Sequence, residues 1–334
     1  MMRIMLKTLL APDAYVWIAA VLLAVLTVAL VFSWRHIHRR GLRWLYSIGL
    51  LGSWYFLLYG TFIGFSRLTV RRVELSFSDL PASFDGYRIV QFSDAHVGTY
   101  TGWREGLLQT AIDSIMAQKA DMVVYTGDLQ NKLPQEIRFH QQTLNRLRAK
   151  DGVYSVLGNH DYAEYIKCLP EEAEANCLET QQLERSLGWT LLMNEHRVVR
   201  HGSDSIIIAG MENDGEGRFP ALGDIPKTLG YPKIVRRPSI DDARPFVIML
   251  EHDPTSWHRK ILPECEAQLT LSGHTHGGQF AFWGFSPAQF KYPELGGVYR
   301  EDSRVLHVTT GLGGVVPVRF GVTPEIVVIT LRKK

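Results

Sequence analysis

The sequence predicts an α/β domain that follows two membrane-spanning helices. Two long apolar runs lie within the first 65 residues, and short apolar runs alternate with amphipathic stretches from Val70 onward. Alternation of strands and helices is typical of α/β proteins. Polar side chains also follow several of the apolar runs directly, and such positions at strand ends commonly carry function.

The first apolar run covers residues 14–34 and is interrupted only by Thr27 and Ser33. A helix of this length is roughly 31 Å long, which is enough to cross the hydrocarbon core of a bilayer. A signal peptide is the alternative, but its apolar region is usually shorter, and the sequence lacks a convincing small-residue cleavage site. We therefore predict a membrane span at residues 14–34.

The second apolar run, residues 44–65, is rich in Trp and Tyr and is also long enough to span. It contains Gly60 and Gly64, whose spacing either seats this helix closely against the first span or arises by chance. A second span would form a hairpin with both termini on one side of the membrane, whereas an interfacial helix would not. The predicted membrane region is residues 1–68, with helices at about 14–34 and 44–65.

Basic residues around the two runs bear on the orientation of the hairpin. They are densest in the connecting loop, which favours a cytoplasmic loop and an extracytoplasmic domain, although the summed charges of the two sides nearly tie. Cys168 and Cys177 either close a small disulfide loop, which requires an oxidising compartment, or are two unrelated thiols. We predict an extracytoplasmic domain. The loop carries Arg35, Arg39, Arg40 and Arg43, and the flanks carry Arg3, Lys7, Arg67, Arg71 and Arg72.

The composition excludes some classes of protein. A formal net charge of +2 provides no global field for nucleic acid, so we expect no nucleic-acid partner. Three cysteines without a Cys-x-x-Cys pair argue against a disulfide scaffold and against a structural zinc site. The sequence does not indicate the oligomeric state.

Hydrophobic periodicity predicts the elements beyond residue 70, with an irregular polar stretch after Asp161. Helical spacing predicts helices over residues 103–116 and 135–148. Strands are predicted at 71–77, 87–92, 122–125, 153–157, 190–193, 205–209, 246–250, 267–271, 305–308 and 325–331.

Five of these strands end in side chains that commonly bind metals. Singly, each such residue has an ordinary explanation as a turn, a helix cap or a core histidine, but their joint occurrence is hard to produce by chance. Seven donors exceed the three or four that a mononuclear site needs, so the sequence predicts two ions if one carboxylate bridges them. Oxygen and imidazole donors without thiolate suit Mn²⁺, Fe or Zn²⁺. The predicted metal ligands are Asp94, His96, Asp128, Asn159, His252, His274 and His276.

The order of these motifs, Asp-x-His, Gly-Asp, Gly-Asn-His-Asp, His and Gly-His-x-His, resembles the calcineurin-like metallophosphoesterase family. The resemblance covers roughly residues 70–334. It implies a two-sheet β sandwich flanked by helices. The membrane-anchored start and the Gly-Gly-Gln after His276 are similar to a bacterial branch of membrane-linked phosphodiesterases, which implies the inner membrane. That branch includes enzymes that cleave UDP-2,3-diacylglucosamine.

The resemblance also implies a role for each residue. Asp94, His96 and His276 would hold the first metal, and Asp128 would bridge to the second. A hydroxide between the ions would attack the phosphorus. His160 would face the phosphate and protonate the leaving oxygen. The second metal would be held by Asn159, His252 and His274.

Two features bear on tuning and substrate. The family often has a second Asp shortly after Gly-Asp, but Leu129, Gln130 and Asn131 follow here, so that carboxylate is missing. Residues 280–292 are rich in aromatics and either contact an acyl chain or the bilayer, or pack their own rings beneath a long loop.

The resulting hypothesis is a membrane-anchored binuclear phosphodiesterase or pyrophosphohydrolase that acts on a lipid-linked phosphoester, with the bilayer as its partner. One alternative is a UDP-2,3-diacylglucosamine pyrophosphohydrolase with a cytoplasmic domain. A non-catalytic metal-binding scaffold is the alternative from another class, although intact ligands argue against it. A phosphomonoesterase for soluble substrates also remains open.

Overall fold

The structure is a computed structural model, and it describes residues 12–34, 36–162, 165–166, 168–230 and 245–334. Two N-terminal helices, α1 (Pro12–Ser33) and α2 (Arg40–Leu58), are followed by a π-helical turn at Tyr59–Gly64. Asp13–Ser33 and Arg40–Gly64 are each long and apolar enough to cross a membrane. Trp54 Nε1 donates a hydrogen bond to Thr27 Oγ1 at 3.1 Å, which joins the two helices as a hairpin. Three of the charges used for the orientation, Arg3, Lys7 and Arg35, lie outside the described residues.

The glycine pair on the second helix packs against the globular part of the chain. A Cβ on Gly60 would come within 2.6 Å of Val318 Cγ1, and one on Gly64 would overlap the carbonyl oxygen of Arg319. The carbonyl of Gly60 also accepts a hydrogen bond from Arg319 N at 3.0 Å. Of the two alternatives for this pair, close seating against the first span is therefore not found. The glycines instead allow the backbone of the helix end to approach residues 316–320 closely.

Two mixed six-stranded sheets form the globular part. The first sheet has the strand order β1-β12-β2-β3-β4-β5, and the second has the order β10-β11-β9-β8-β7-β6. The strands are β1 (Thr69–Phe77), β2 (Arg88–Phe92), β3 (Met122–Thr126), β4 (Val153–Val156), β5 (Thr190–Leu191), β6 (Glu195–His201), β7 (Asp204–Gly210), β8 (Phe246–Leu250), β9 (Leu269–Ser272), β10 (Gly297–Glu301), β11 (Arg304–Val308) and β12 (Glu325–Lys333).

The main core lies between the two sheets, where Ile89 and Val124 of the first pack in one cluster with Ile248 and Leu271 of the second. Helices cover the outer face of the first sheet and bury side chains such as Ile112 against it. This confirms the predicted two-sheet sandwich flanked by helices. The helices beyond the hairpin are α3 (Glu105–Ala117), α4 (Gln135–Leu144), α5 (Pro170–Ser186), α6 (Ile225–Leu229) and α7 (Leu262–Glu264).

Helix α5 lies in the polar stretch after Asp161, for which the sequence predicts irregular structure. Its buried residues are few, so its apolar periodicity is weak. Its start is fixed by Pro170 in the first turn and by the Glu172 carboxylate, which accepts the Leu169 N–H at 3.3 Å. Cys177 lies on this helix, and both it and Cys168 are free thiols. The disulfide alternative is therefore not found.

Candidate metal centre

The predicted ligands lie on loops at one edge of the sandwich, where the carboxyl ends of parallel strands from both sheets meet. Within the first sheet, Asp94 N donates to the carbonyl of Gly127 at 2.9 Å. The ring of His252 joins the sheets, because its Nδ1 lies 2.6 Å from the Thr126 carbonyl oxygen. The His274 N–H also donates to the Asp94 carboxylate, at 3.0 and 3.1 Å. The structure thus brings all seven predicted ligands and His160 into one cluster.

One group of donors in the cluster contains Asp94, His96 and His276. The Nε2 atoms of the two imidazoles face each other at 3.3 Å, and Asp94 Oδ1 lies 3.5 Å from His276 Nε2. Asp94 and His96 are fully buried. The three donor atoms therefore converge on one small volume at the edge of the sheet.

A second group contains Asp128, His252 and His274, with Asn159 beside them. His274 Nδ1 lies 2.8 Å from Asn159 Oδ1 and 3.3 Å from His252 Nε2. The amide of Asn159 donates to the Tyr165 hydroxyl at 2.6 Å, which turns its oxygen towards the imidazoles.

Asp128 connects the two groups. Its Oδ2 lies 3.5 Å from His96 Nε2 and 3.3 Å from His252 Nε2, while its Oδ1 accepts the backbone N–H of His160 at 2.8 Å. Burial raises the pKa of this carboxyl, but the imidazoles of His252 and His160 outweigh burial and hold the pKa well below its usual range. One ionised oxygen therefore faces both clusters of donors.

The residues fit divalent metal ions. Burial lowers the pKa of His96 to about 3 and that of His274 to about 4, so both rings are neutral and offer a lone pair. Neutral imidazole together with carboxylate and amide oxygen is a donor set that suits Mn²⁺, Fe or Zn²⁺. Two pairs of ring nitrogens lie 3.3 Å apart in this buried site, so two lone pairs converge on one small volume when neither nitrogen of a pair carries a proton.

The backbone of the site adopts an uncommon conformation. Five of the seven predicted ligands have left-handed φ angles, which cost about 1–3 kcal/mol each for residues other than glycine. Such strain persists where surrounding contacts enforce it and is typical of functional sites. The residues are Asp94 (50°), His96 (44°), Asp128 (62°), His274 (69°) and His276 (52°).

Backbone carbonyls fix the orientation of two histidines. His252 Nδ1 contacts the Thr126 carbonyl, which leaves Nε2 facing Asp128. His160 Nδ1 lies 2.6 Å from the Asn131 carbonyl oxygen, and its ring is stacked on Tyr165 with centroids 3.9 Å apart. A ring held in this way keeps its tautomer and its direction.

Asp161 and Gln130, two side chains without a predicted role, support these loops. The Asp161 carboxylate accepts backbone N–H groups of Asp128, Leu129, Gln130 and Gly158 at 2.8–3.2 Å. Its position directly after Gly-Asn-His in the sequence is the feature from which a role at the site could have been predicted. Gln130 takes the place near the missing carboxylate, since it donates to the His160 carbonyl at 3.2 Å and accepts from Thr180 Oγ1 at 2.8 Å.

Arg319 is a third residue that supports the site, and no pattern in the sequence predicts this role. Its fully buried guanidinium donates to the carbonyls of Gly313 at 3.0 Å and Thr310 at 2.7 Å. The strap formed by residues 310–314 lies directly behind Asp94, because Gly313 N donates to the Asp94 carbonyl at 2.8 Å and a Cβ on Gly311 would come within 2.6 Å of Asp94 Cβ.

Aromatic and basic side chains lie beside His274. The Tyr292 hydroxyl lies 3.1 Å from His274 Nε2, and the Phe219 ring meets the His274 ring edge to face at 5.0 Å. Lys291 Nζ lies over the rings of both Phe219 and Tyr292, at 5.1 and 4.8 Å. The guanidinium carbon of Arg218 lies 5.5 Å from the centre of the neighbouring Phe219 ring. These positive charges suit an anionic ligand.

The chain is similar to several known proteins. The model of the calcineurin-like phosphoesterase family matches residues 87–278. The chain is 32% identical over 262 residues to the uncharacterized metallophosphoesterase YkuE of Bacillus subtilis, with 76% of this chain and 82% of that protein covered. It is 30% identical over 270 residues to a transmembrane protein with metallophosphoesterase domain of Danio rerio, with 78% and 56% covered.

A third relative is the UDP-2,3-diacylglucosamine pyrophosphatase LpxG of Chlamydia trachomatis, which is 26% identical over 313 residues with 78% of this chain and 88% of that protein covered. The family model spans more than half of the chain, and the Bacillus protein matches over most of both lengths. The chain therefore belongs to the calcineurin-like phosphoesterase family and is a metal-dependent phosphoester hydrolase.

Proposed function

We propose that this hydrolase holds two divalent ions and cleaves a phosphodiester or pyrophosphate bond of a lipid-linked substrate at a membrane surface. Residues 1–68 form its membrane region and residues 70–334 its catalytic domain. The observation that carries the proposal is the position of Asp128 Oδ2, within 3.3–3.5 Å of an imidazole nitrogen in each of two donor groups. One oxygen with donors on both sides is the arrangement that a bridging ligand requires.

The ligands divide between two metal positions. Asp128 belongs to both, because its oxygen faces a histidine of each group. When bound, two such ions lower the pKa of water and neutralise charge on a phosphoryl group. Asp94, His96 and His276 hold the first ion, and Asn159, His252 and His274 hold the second.

His160 acts on the phosphate and does not bind metal. Its Nδ1 is engaged by the Asn131 carbonyl, and Tyr165 covers one face of its ring. The proton is therefore held at Nδ1 in the neutral ring, and protonation at Nε2 gives a cation that stabilises phosphate charge and donates a proton to the leaving oxygen. Asp128 supports this geometry by accepting the His160 backbone N–H at 2.8 Å.

A lipid-linked substrate is supported by the chain of contacts that connects the hairpin to the site. The helix end at Gly60 bonds to Arg319, and Arg319 holds the strap behind Asp94. The cluster of metal ligands is thus only a few contacts away from a segment that is apolar enough to span a membrane.

The hairpin lies in a bacterial inner membrane. We assign the catalytic domain to the extracytoplasmic side, because the basic residues are densest in the loop between the helices.

The alternative function is UDP-2,3-diacylglucosamine pyrophosphatase, which the two Chlamydia relatives of that name favour at 26% and 25% identity. This function requires a cytoplasmic catalytic domain. Cys168 and Cys177 are both partly exposed free thiols, so they serve as natural topology labels. Labelling of intact cells by an impermeant maleimide supports the extracytoplasmic proposal, and labelling only after lysis supports the alternative.

The test of the catalytic proposal uses the full-length chain in detergent with Mn²⁺. Asn159→Ala should lower bound metal and hydrolysis of bis(p-nitrophenyl) phosphate together, whereas His160→Ala should abolish hydrolysis with the metal retained. Asn145→Ala and His258→Ala are exposed matched controls that should change neither. Two metals bound to an inactive parent would favour the scaffold, and one metal per chain would refute the binuclear centre.

A further inference from the structure

Residues 280–292, called here the aromatic loop, expose an unusual amount of apolar surface. Trp283 is fully exposed, and 86% of Phe290 is exposed, while Phe282 and Phe285 are about half exposed. Lys291 is the one charged residue of this stretch. Exposed aromatic side chains concentrated on one loop, rather than scattered singly, indicate a surface that meets another apolar phase.

The loop leaves four of its rings exposed, those of Phe282, Trp283, Phe285 and Phe290. Phe285 and Phe290 touch each other edge to face at 5.8 Å, but both remain exposed to a large extent. The Trp283 ring has its whole surface free, in a residue with a left-handed φ of 52°. The alternative from the sequence, a long loop that packs its aromatics beneath it, therefore does not account for these side chains.

The base of the loop is joined to helix α2. The ring of Phe56 packs on that of Phe280 at 5.3 Å and lies nearly parallel to that of Phe282 at 6.2 Å. Phe320 fills the space between them, 5.0 Å from Phe56 and 5.3 Å from Phe282. The apolar surface of the loop is therefore continuous with the surface of a helix that is able to span a membrane.

The position of Phe56 along the helix sets the depth of the loop. The helical run Arg40–Gly64 has 25 residues and is roughly 37 Å long at about 1.5 Å per residue, which exceeds a hydrocarbon core of about 30 Å. Phe56 lies roughly 12 Å before the end of this run, and therefore roughly 5–12 Å inside the edge of the core. Rings that stack on Phe56 consequently lie at the level of the acyl chains or the headgroup boundary. Trp is the residue most typical of that boundary, and a Lys at its edge suits anionic headgroups.

The far end of the loop reaches the metal centre. Tyr292 contacts His274 Nε2 through its hydroxyl, and Lys291 lies over the Tyr292 and Phe219 rings beside the same histidine. A single stretch of 13 residues thus runs from the helix surface to a predicted metal ligand.

We infer that the aromatic loop inserts into the phospholipid bilayer beside helix α2, contacts the acyl chains of a lipid substrate there and guides its phosphoester towards His274. The guiding role rests on the proposed function, whereas insertion does not. The occupant of the loop surface is lipid, because that surface continues the membrane-facing surface of α2.

Insertion is tested by fluorescence quenching in vesicles of phosphatidylcholine and phosphatidylglycerol. In full-length protein whose native cysteines are replaced by serine, Trp283→Cys and, separately, Ser303→Cys carry an environment-sensitive dye. Ser303 is the matched control, because it is exposed in the β10–β11 turn at the end of the sheet opposite the ligands. We expect the dye at position 283 to be quenched by spin-labelled acyl chains and protected from aqueous iodide. Equal iodide quenching at both positions would overturn the inference.

The guiding role is tested with two substrates. The double change Trp283→Ser with Phe290→Ser should lower kcat/KM on a vesicle-embedded phosphodiester by about tenfold or more, the equivalent of about 1.4 kcal/mol. Hydrolysis of soluble bis(p-nitrophenyl) phosphate should stay unchanged, and the swap Trp283→Phe with Phe290→Trp should retain activity on vesicles. Equal losses on both substrates would overturn the guiding role. A parent that is inactive on both would refute the proposed function, while the quenching result would still decide insertion.

Discussion

Replacement of Arg319 by Met should weaken both the fold and the metal centre. Arg319 is fully buried, and although burial lowers its pKa to about 10, the guanidinium stays charged near neutral pH. It donates to carbonyls of the strap at residues 310–314, and this strap backs Asp94. Met fills a similar volume but donates no hydrogen bond, so the carbonyls of Gly313 and Thr310 lose their charged partner.

The magnitude follows from the two carbonyls that accept short bonds: Gly313 accepts from Nε at 3.0 Å and also from Nη2, and Thr310 accepts from Nη2 at 2.7 Å. Hydrogen bonds to a charged group contribute about 1.5–3 kcal/mol each, so the free energy of unfolding should fall by about 3–6 kcal/mol. Contacts with Gly311 at 3.3 Å and Thr323 at 3.4 Å are longer and add less. The loosened strap should also raise the dissociation constant for metal by about tenfold or more, as loss of supporting contacts around metal ligands commonly does.

Chemical denaturation in detergent measures the stability, and metal analysis after equilibration with graded Mn²⁺ measures the affinity. Arg304→Met is the matched control. Arg304 donates to the carbonyl of Leu262 at 2.6 Å and more weakly to that of Cys265 at 3.3 Å, at the end of β11 that is remote from the ligands. We expect Arg304→Met to cost about 1.5–3 kcal/mol and to leave metal affinity unchanged.

Arg319→Lys separates charge from geometry. Lysine keeps the charge but lacks the planar fork, so it should recover only part of the lost stability. If Arg319→Met binds metal as tightly as the parent, the strap does not position Asp94 and the reasoning fails. Equal effects of the Arg319 and Arg304 changes on metal affinity would refute it as well.

Three further predictions concern other parts of the chain. Phe65→Ala should lower the free energy of unfolding by about 3–5 kcal/mol, because the Phe65 ring is buried in the domain core. Phe139 is exposed, so the control Phe139→Ala should change the free energy of unfolding, measured by chemical denaturation, by less than about 0.5 kcal/mol. Burial lowers the pKa of His307 to about 4, so the free energy of unfolding should fall by about 3 kcal/mol between pH 6.5 and pH 4, as the unfolded chain takes up a proton that the buried ring does not. His307→Gln should flatten the dependence of stability on pH over that window, and an unchanged dependence would show that His307 does not cause it. Tyr292→Phe removes the hydroxyl that contacts His274 Nε2 and should weaken metal binding by about tenfold in a titration with Mn²⁺. Unchanged affinity would show that the hydroxyl does not orient this ligand.

Part of the fold could be predicted because its signal is local. Residues 246–250 form a continuous apolar run, and β8 has those bounds. Helix α5 gave little signal, since most of its surface faces solvent and its start depends on Pro170 and Glu172. A strand is predicted over residues 190–193, but the ladder with β4 limits β5 to Thr190–Leu191.

The sequence by itself determined the fold class, the family and the identity of the candidate ligands, because alternating burial and the residues at strand ends are local properties. Only the tertiary structure decided which atoms converge, as with the oxygen of Asp128 between His96 and His252. It also decided that Gly64 meets Arg319 rather than the first helix. These contacts join residues far apart in the chain, and such contacts depend on how whole loops and sheets pack, which spacing along the sequence does not encode.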